Sequence, residues 1–118
     1  MRHQDIFHEL DAYVKNFWVY TRVCYLLKMK RFHITLSGKV QEVNFRMFAR
    51  TAAGRHSVTG WIKNLKSGEV EIIAEGQEDK LIKFYKEVER GPMMATIMNI
   101  KKEELTATGE FERFDILL

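Results

Sequence analysis

Phe32, Ile34 and Leu36 alternate with His33, Thr35 and Ser37, and that period of two predicts a half-buried strand over residues 32–38. Residues 40–45 read as a connection. The spacing of Phe48, Ala49, Ala52 and Ala53 then predicts a helix over 46–55. Residues 58–65 form a second expected strand. Lys66-Ser67-Gly68 turns the chain into a third, over 69–75, so these two make a hairpin. Gly76 breaks the pattern. Leu81, Ile82, Phe84, Tyr85 and Val88 give a second helix its apolar side over 78–89, and Gly91-Pro92 stops it. A fourth strand is expected within 94–103 and a short last one over 111–117.

This order is βαβ, hairpin, αβ. Two interleaved βαβ units give a sheet of four or five strands with both helices on one face. The other face is left open. Trp61, Phe84, Met93, Met94 and Met98 are expected in the core or in strand packing rather than in ligand contacts.

Residues 1–28 read differently. Ile6, Leu10, Tyr13, Phe17, Tyr20, Cys24 and Leu27 recur in steps of four and three, which lines one side of a helix. The run 17–25 is also rich in aromatic and β-branched residues, which leaves a strand open. The chain therefore divides into an N-terminal extension, 1–28, and a domain, 29–118. Two readings of the extension stay open. It is loosely ordered, or it is an element that packs on the open sheet face or joins two chains. A monomer is expected, and residues 1–28 are the route to a dimer.

The 118 residues fit one domain with one core, since 46% of them are hydrophobic. Nineteen basic and 16 acidic residues leave a formal charge of +3, a mild positive field. It favours anions slightly and falls short of a dedicated nucleic-acid binder. His33, Thr35 and Ser37 on the first strand also lack the aromatic platform of an RNA-recognition sheet. The single cysteine, Cys24, forms no internal disulfide, and the four histidines have no metal-ligand spacing. Neither metal nor cofactor is expected, and a cytoplasmic setting is. No run approaches the roughly 18 apolar residues of a membrane span, and no secretory signal is expected.

The chemistry concentrates in two segments. In Gly38-Lys39-Val40-Gln41-Glu42-Val43-Asn44-Phe45-Arg46 a strand ends, a loop follows and a helix begins. Free N–H groups of such a loop and helix start make an anion site, and an arginine in the first turn adds a planar fork suited to phosphate. In Gly60-Trp61-Ile62-Lys63-Asn64-Leu65-Lys66-Ser67-Gly68, Asn64 ends a strand beside a turn. On spacing alone Arg46 reads as a solvated cation and Asn64 as a turn former.

The first string resembles the acylphosphatase signature G-x-V-Q-G-V-x-F-R. The second is similar to that family's G-W-V-x-N with a glycine four residues on. Ala74-Glu75-Gly76, Arg90-Gly91-Pro92, Thr108-Gly109-Glu110-Phe111 and Phe114-Asp115-Ile116 follow in register, so the resemblance covers about 31–118. It implies an α+β fold, the ferredoxin-like βαββαβ sandwich with an antiparallel sheet and two helices on one face. It implies a metal-free, cofactor-free hydrolase that splits acyl phosphates, small-molecule substrates, into carboxylate and phosphate. Arg46 would bind the phosphate with backbone N–H groups of Gln41, Glu42, Val43, Asn44, Phe45 and Arg46. Asn64 would position the water. No nucleic-acid or membrane partner is implied.

One departure bears on the chemistry. Glu42 stands where the signature has glycine. If the position is left-handed, a side chain there costs roughly 1–2 kcal/mol. A carboxylate about 6 Å from phosphate, at an effective dielectric near 20, repels it by about 2–3 kcal/mol before screening. The alternative to an active enzyme is therefore a weakened, acylphosphatase-like module that holds phosphate or carbamoyl phosphate. Ser57 likewise replaces a glycine after the first helix, and Gly54 lies within it.

Overall fold

Phe32, Ile34 and Leu36 are buried along one side of the first strand, β1 (Met29–Lys39), as their alternation requires. The computed structural model describes residues 28–118. The expectations for 1–27, helical or loose, covering the sheet or joining chains, lie outside the described residues. After β1 come α1 (Phe45–Arg55), β2 (Thr59–Asn64), β3 (Val70–Gln77), α2 (Glu78–Arg90), β4 (Thr96–Thr106) and β5 (Phe114–Leu117).

The sheet order is β4-β1-β3-β2-β5. β1 pairs antiparallel with β3 and β4, and β2 antiparallel with β3, so the two βαβ units interleave as expected. The expectation of a wholly antiparallel sheet is corrected by β5, which pairs parallel with β2. The reason is the route of the chain. β4 ends opposite Lys30, at the end of the sheet where β2 begins. Residues 107–113 cross that end, and the Gly60 N–H donates to Arg113 O at 3.0 Å, so β5 starts beside the start of β2.

A buried carboxylate holds that crossing. Glu75 is 0% exposed. It accepts from Arg31 Nε at 2.6 Å, from the Thr108 N–H at 2.8 Å and from the Gly109 N–H at 2.9 Å. Charge-assisted bonds from main chain and guanidinium offset the cost of burying it. Arg31 also stands 5.1 Å from the Phe111 ring centroid.

Both helices pack on the apolar face. Ala49, Ala52 and Ala53 of α1 and Leu81, Phe84 and Val88 of α2 are buried against Ile62, Val70, Ile72 and Ala74. The large side chains among them each contribute about 1.5–3 kcal/mol by leaving water. The alanines let α1 lie close to the sheet. Gly60 has φ +135, and a Cβ there would stand 1.9 Å from Ile73 O, so β2 can approach β3 only with glycine at that point. Ser57 follows α1 at φ 55, the left-handed conformation that a glycine takes without strain.

Phe84 is buried and Trp61 lies half-buried on β2, with Lys63 Nζ 5.1 Å from its ring centroid, which agrees with core and strand packing. Several other core expectations are corrected. Met93, Met94 and Met98 are exposed, at 98%, 67% and 80%. Met93 and Met94 precede β4, an edge strand. Met98 falls where the β1–β4 register shifts between Ser37 and Gly38 and has no partner residue across the ladder. In α1, Phe45 rather than Phe48 is buried, and in α2 Ile82 is exposed.

Candidate active site

The topology brings one end of each central element together. β1 ends at Lys39, β2 at Asn64 and β5 at Leu117, while α1 begins at Phe45. With β1, β2 and β5 all parallel, these termini share one end of the sheet, opposite the Glu75 crossing. There they enclose a pocket of about 420 Å3. Gln41, Glu42, Asn44 and Arg46 from the loop and the first turn of α1, with Asn64 from β2, give it polar walls. Met47 and Ile116 are among its apolar ones. Arg46 and Asn64, separated by a helix and most of a strand, therefore face one cavity.

The loop has an unusual backbone. Glu42 has φ 59 and Asn44 has φ 61, with Val43 between them outside the positive region. A left-handed residue on each side of Val43 can turn neighbouring N–H groups toward one side, as in an anion nest. Asparagine tolerates that conformation and glutamate less so. Glu42 is exposed. Asn44 is also the N-cap of α1, but its side chain makes no capping hydrogen bond, and the first turn carries no acidic residue. The first helix-type bond runs from the Phe48 N–H to Asn44 O at 3.1 Å. Among the described residues, the N–H groups from Gln41 to Arg46 have no acceptor. A helix start in this state favours an anion.

Two side chains stand out by their partners. Arg46 is half-buried in the first turn and forms no ion pair among the described residues. Asn64 Oδ1 is buried and has no hydrogen-bond partner. A buried acceptor left unmatched costs about 1–3 kcal/mol, and such atoms are rare away from functional sites.

Gln41 has a role that sequence reasoning missed. Its side-chain Nε2 donates to Leu65 O and to Glu69 O, each at 2.8 Å. It was expected to act only through its backbone N–H. The contact joins the loop to the β2–β3 turn, whose closing bonds are Leu65 N–H to Glu69 O at 2.8 Å and Gly68 N–H to Leu65 O at 3.1 Å. Met47 and Ile116 were also missed: nothing marks the residue after Arg46 as facing the pocket, and nothing local marks β5, which carries Ile116, as part of the site.

Among the described residues no three His, Cys, Asp or Glu side chains converge as metal ligands, and no helix is long and apolar enough to cross a membrane.

The sequence model of the acylphosphatase family matches residues 32–116. The acylphosphatase of Syntrophus aciditrophicus is 42% identical over 89 residues, which cover 75% of this chain and 93% of that protein. The acylphosphatase of Bacillus licheniformis is 38% identical over 88 residues, covering 75% and 98%. The crystal structure of acylphosphatase from Bacillus subtilis superposes with a TM-score of 0.73 at 34% identity, over 75% of this chain and 99% of that one. The chain belongs to the acylphosphatase family and is a hydrolase of small acyl phosphates.

Proposed function

We propose that Arg46, with the N–H groups of Gln41, Glu42, Val43, Asn44, Phe45 and Arg46, holds the phosphoryl group of an acyl phosphate, and that Asn64 positions the attacking water. The observation that carries this reading is that Asn64, whose side-chain oxygen is left without a hydrogen-bond partner, lines the same pocket as Arg46. The side-chain amide of Asn64 hydrogen-bonds a water. The water's lone pair then faces phosphorus, opposite the bond to the leaving carboxylate.

The reaction needs little more. The water oxygen bonds to phosphorus as the P–O bond to the acyl group breaks, and the electron pair leaves with the carboxylate. A phosphoryl oxygen of the substrate accepts the proton released by the water. The transition state is loose, with charge on the equatorial oxygens. A guanidinium and a ring of fixed N–H groups stabilise that charge without reorganising. No step in this scheme draws on a metal or a cofactor.

A second reading has its own observation. Glu42 occupies a left-handed position and brings a carboxylate to the pocket wall, which supports a weakened phosphate cradle. Hydrolysis of benzoyl phosphate in excess chelator separates the two. In the first reading the wild type turns over, and Arg46→Gln and Asn64→Ala each lose about 100-fold or more. Turnover abolished by chelator, or retained in both variants, would sink the scheme.

Residues 29–118 are the unit we propose for this activity, with 1–28 an extension outside it. The family match over 32–116 and the start of β1 at Met29 support that division. The same assay on a chain beginning at Met29 tests it, and loss of turnover counts against it. All the proposed site residues lie on one chain, so the reaction needs no second subunit, and a monomer, checked by mass in solution, is the state we propose. The single cysteine supports a reducing, cytoplasmic setting.

A further inference from the structure

The pocket holds more than a phosphoryl group needs. Its volume is about 420 Å3. A phosphoryl group fills the room of a few waters, each on the order of 30 Å3 in the liquid. The space beyond the cradle has an apolar wall. Met47 follows Arg46 in the first turn of α1, and Ile116 reaches the pocket from β5.

Met47 is the telling residue. On the same helix Phe45, Ala49, Ala52 and Ala53 are buried, whereas Met47 is 46% exposed. Its side chain is not spent on the core. A lone exposed methionine is ordinary. One that lines a cavity with Ile116, next to a helix start built for an anion, offers apolar surface to a ligand. An acyl phosphate places its acyl group one bridging oxygen away from the phosphorus. With phosphate in the cradle, the rest of the cavity is the nearest room for the acyl group.

We infer that the Met47–Ile116 wall seats the acyl group, and that this enzyme prefers acyl phosphates whose acyl group is bulky and apolar over those whose acyl group is small. The inference rests on the reading of Arg46 and Asn64 given above. The contact is the same before and during phosphoryl transfer, so it acts on binding rather than on the chemical step.

Binding of two inert analogues tests this without turnover. Phenacylphosphonate and acetonylphosphonate carry a methylene in place of the bridging oxygen, and calorimetry gives each affinity in competition with inorganic phosphate. Wild type is expected to bind the phenyl compound about 10-fold more tightly, and Met47→Ser to cut that ratio to about 3-fold or less. Met47→Gln, a second polar variant of similar length, acts in the same direction, and Met47→Leu keeps the preference. Equal affinities in wild type, or a ratio that survives both polar variants, overturn the inference. A wild type that keeps the preference yet hydrolyses neither acetyl nor benzoyl phosphate defeats the hydrolytic scheme alone. One that binds neither phosphonate defeats both.

Discussion

The side-chain amide of Gln41 bridges to Leu65 O and Glu69 O, so the loop that ends in Arg46 is fastened to the turn that follows Asn64. Both halves of the proposed site belong to the first βαβ unit but lie a helix apart along the chain, and the Gln41 amide ties one to the other. Both carbonyls keep a backbone donor if the amide is removed. Gln41→Ala is therefore expected to lose only about 1–2 kcal/mol of stability. Catalysis suffers more, because misplacing reacting groups by about 1 Å costs on the order of 100-fold. We expect kcat on benzoyl phosphate to fall at least about 10-fold, while inhibition by inorganic phosphate shifts by about threefold or less. A kcat that matches wild type would show that the two halves are held by other contacts.

Glu42 combines two effects that substitution can separate. Its φ of 59 is strained for a side chain, and its charge lies on the wall of the cradle. Glu42→Gln removes the charge and keeps the strain. Glu42→Gly removes both, although the freer unfolded chain cancels part of the gain, leaving less than about 1 kcal/mol of added stability. Phosphate is expected to inhibit either variant at lower concentration, about 10-fold lower for Glu42→Gly. Urea unfolding and phosphate inhibition, measured on both, check the division. If neither variant binds phosphate more tightly, the carboxylate is too far or too well solvated to matter.

Much of this was legible in the sequence because it is periodic. The alternation of Phe32, Ile34 and Leu36 fixed β1 and its buried side. The helical spacing of Leu81, Phe84 and Val88 did the same for α2. Asn64 was expected near a strand end and is the last residue of β2. The misses have a common cause, which is dependence on non-local partners. Met98 looks like a strand residue with a buried face, but the register shift opposite Ser37 and Gly38 leaves it exposed. The direction of β5 follows from where residues 107–113 cross, and that depends on Glu75 meeting Arg31, Thr108 and Gly109. Gln41 could be placed in the loop by motif, but its side-chain partners belong to a turn 24 residues on. The left-handed geometry at position 42 was anticipated from the glycine that the family signature carries there.

Glu87 gives the fold a pH dependence of its own, away from the pocket. Its carboxylate pairs with Arg55 and His56 and so joins the end of α1 to α2. Burial acts to raise its pKa, but hydrogen bonds from His56 and Arg55, with the charge of both, outweigh burial and leave the carboxyl below its ordinary value of 4.5. A carboxyl depressed in the folded state binds its proton more readily when unfolded. Its contribution to stability is therefore complete above about pH 4.5 and is lost as the pH falls through the lower, folded value. The size is on the order of 1 kcal/mol, because the Arg55 side chain is 54% exposed and water screens the pair. Glu87→Gln should be less stable than wild type by about that amount at pH 7, and the gap should close as unfolding is measured at successively lower pH below 4.5. A gap that stays constant from pH 7 to pH 3 would mean that the carboxylate acts through packing rather than charge.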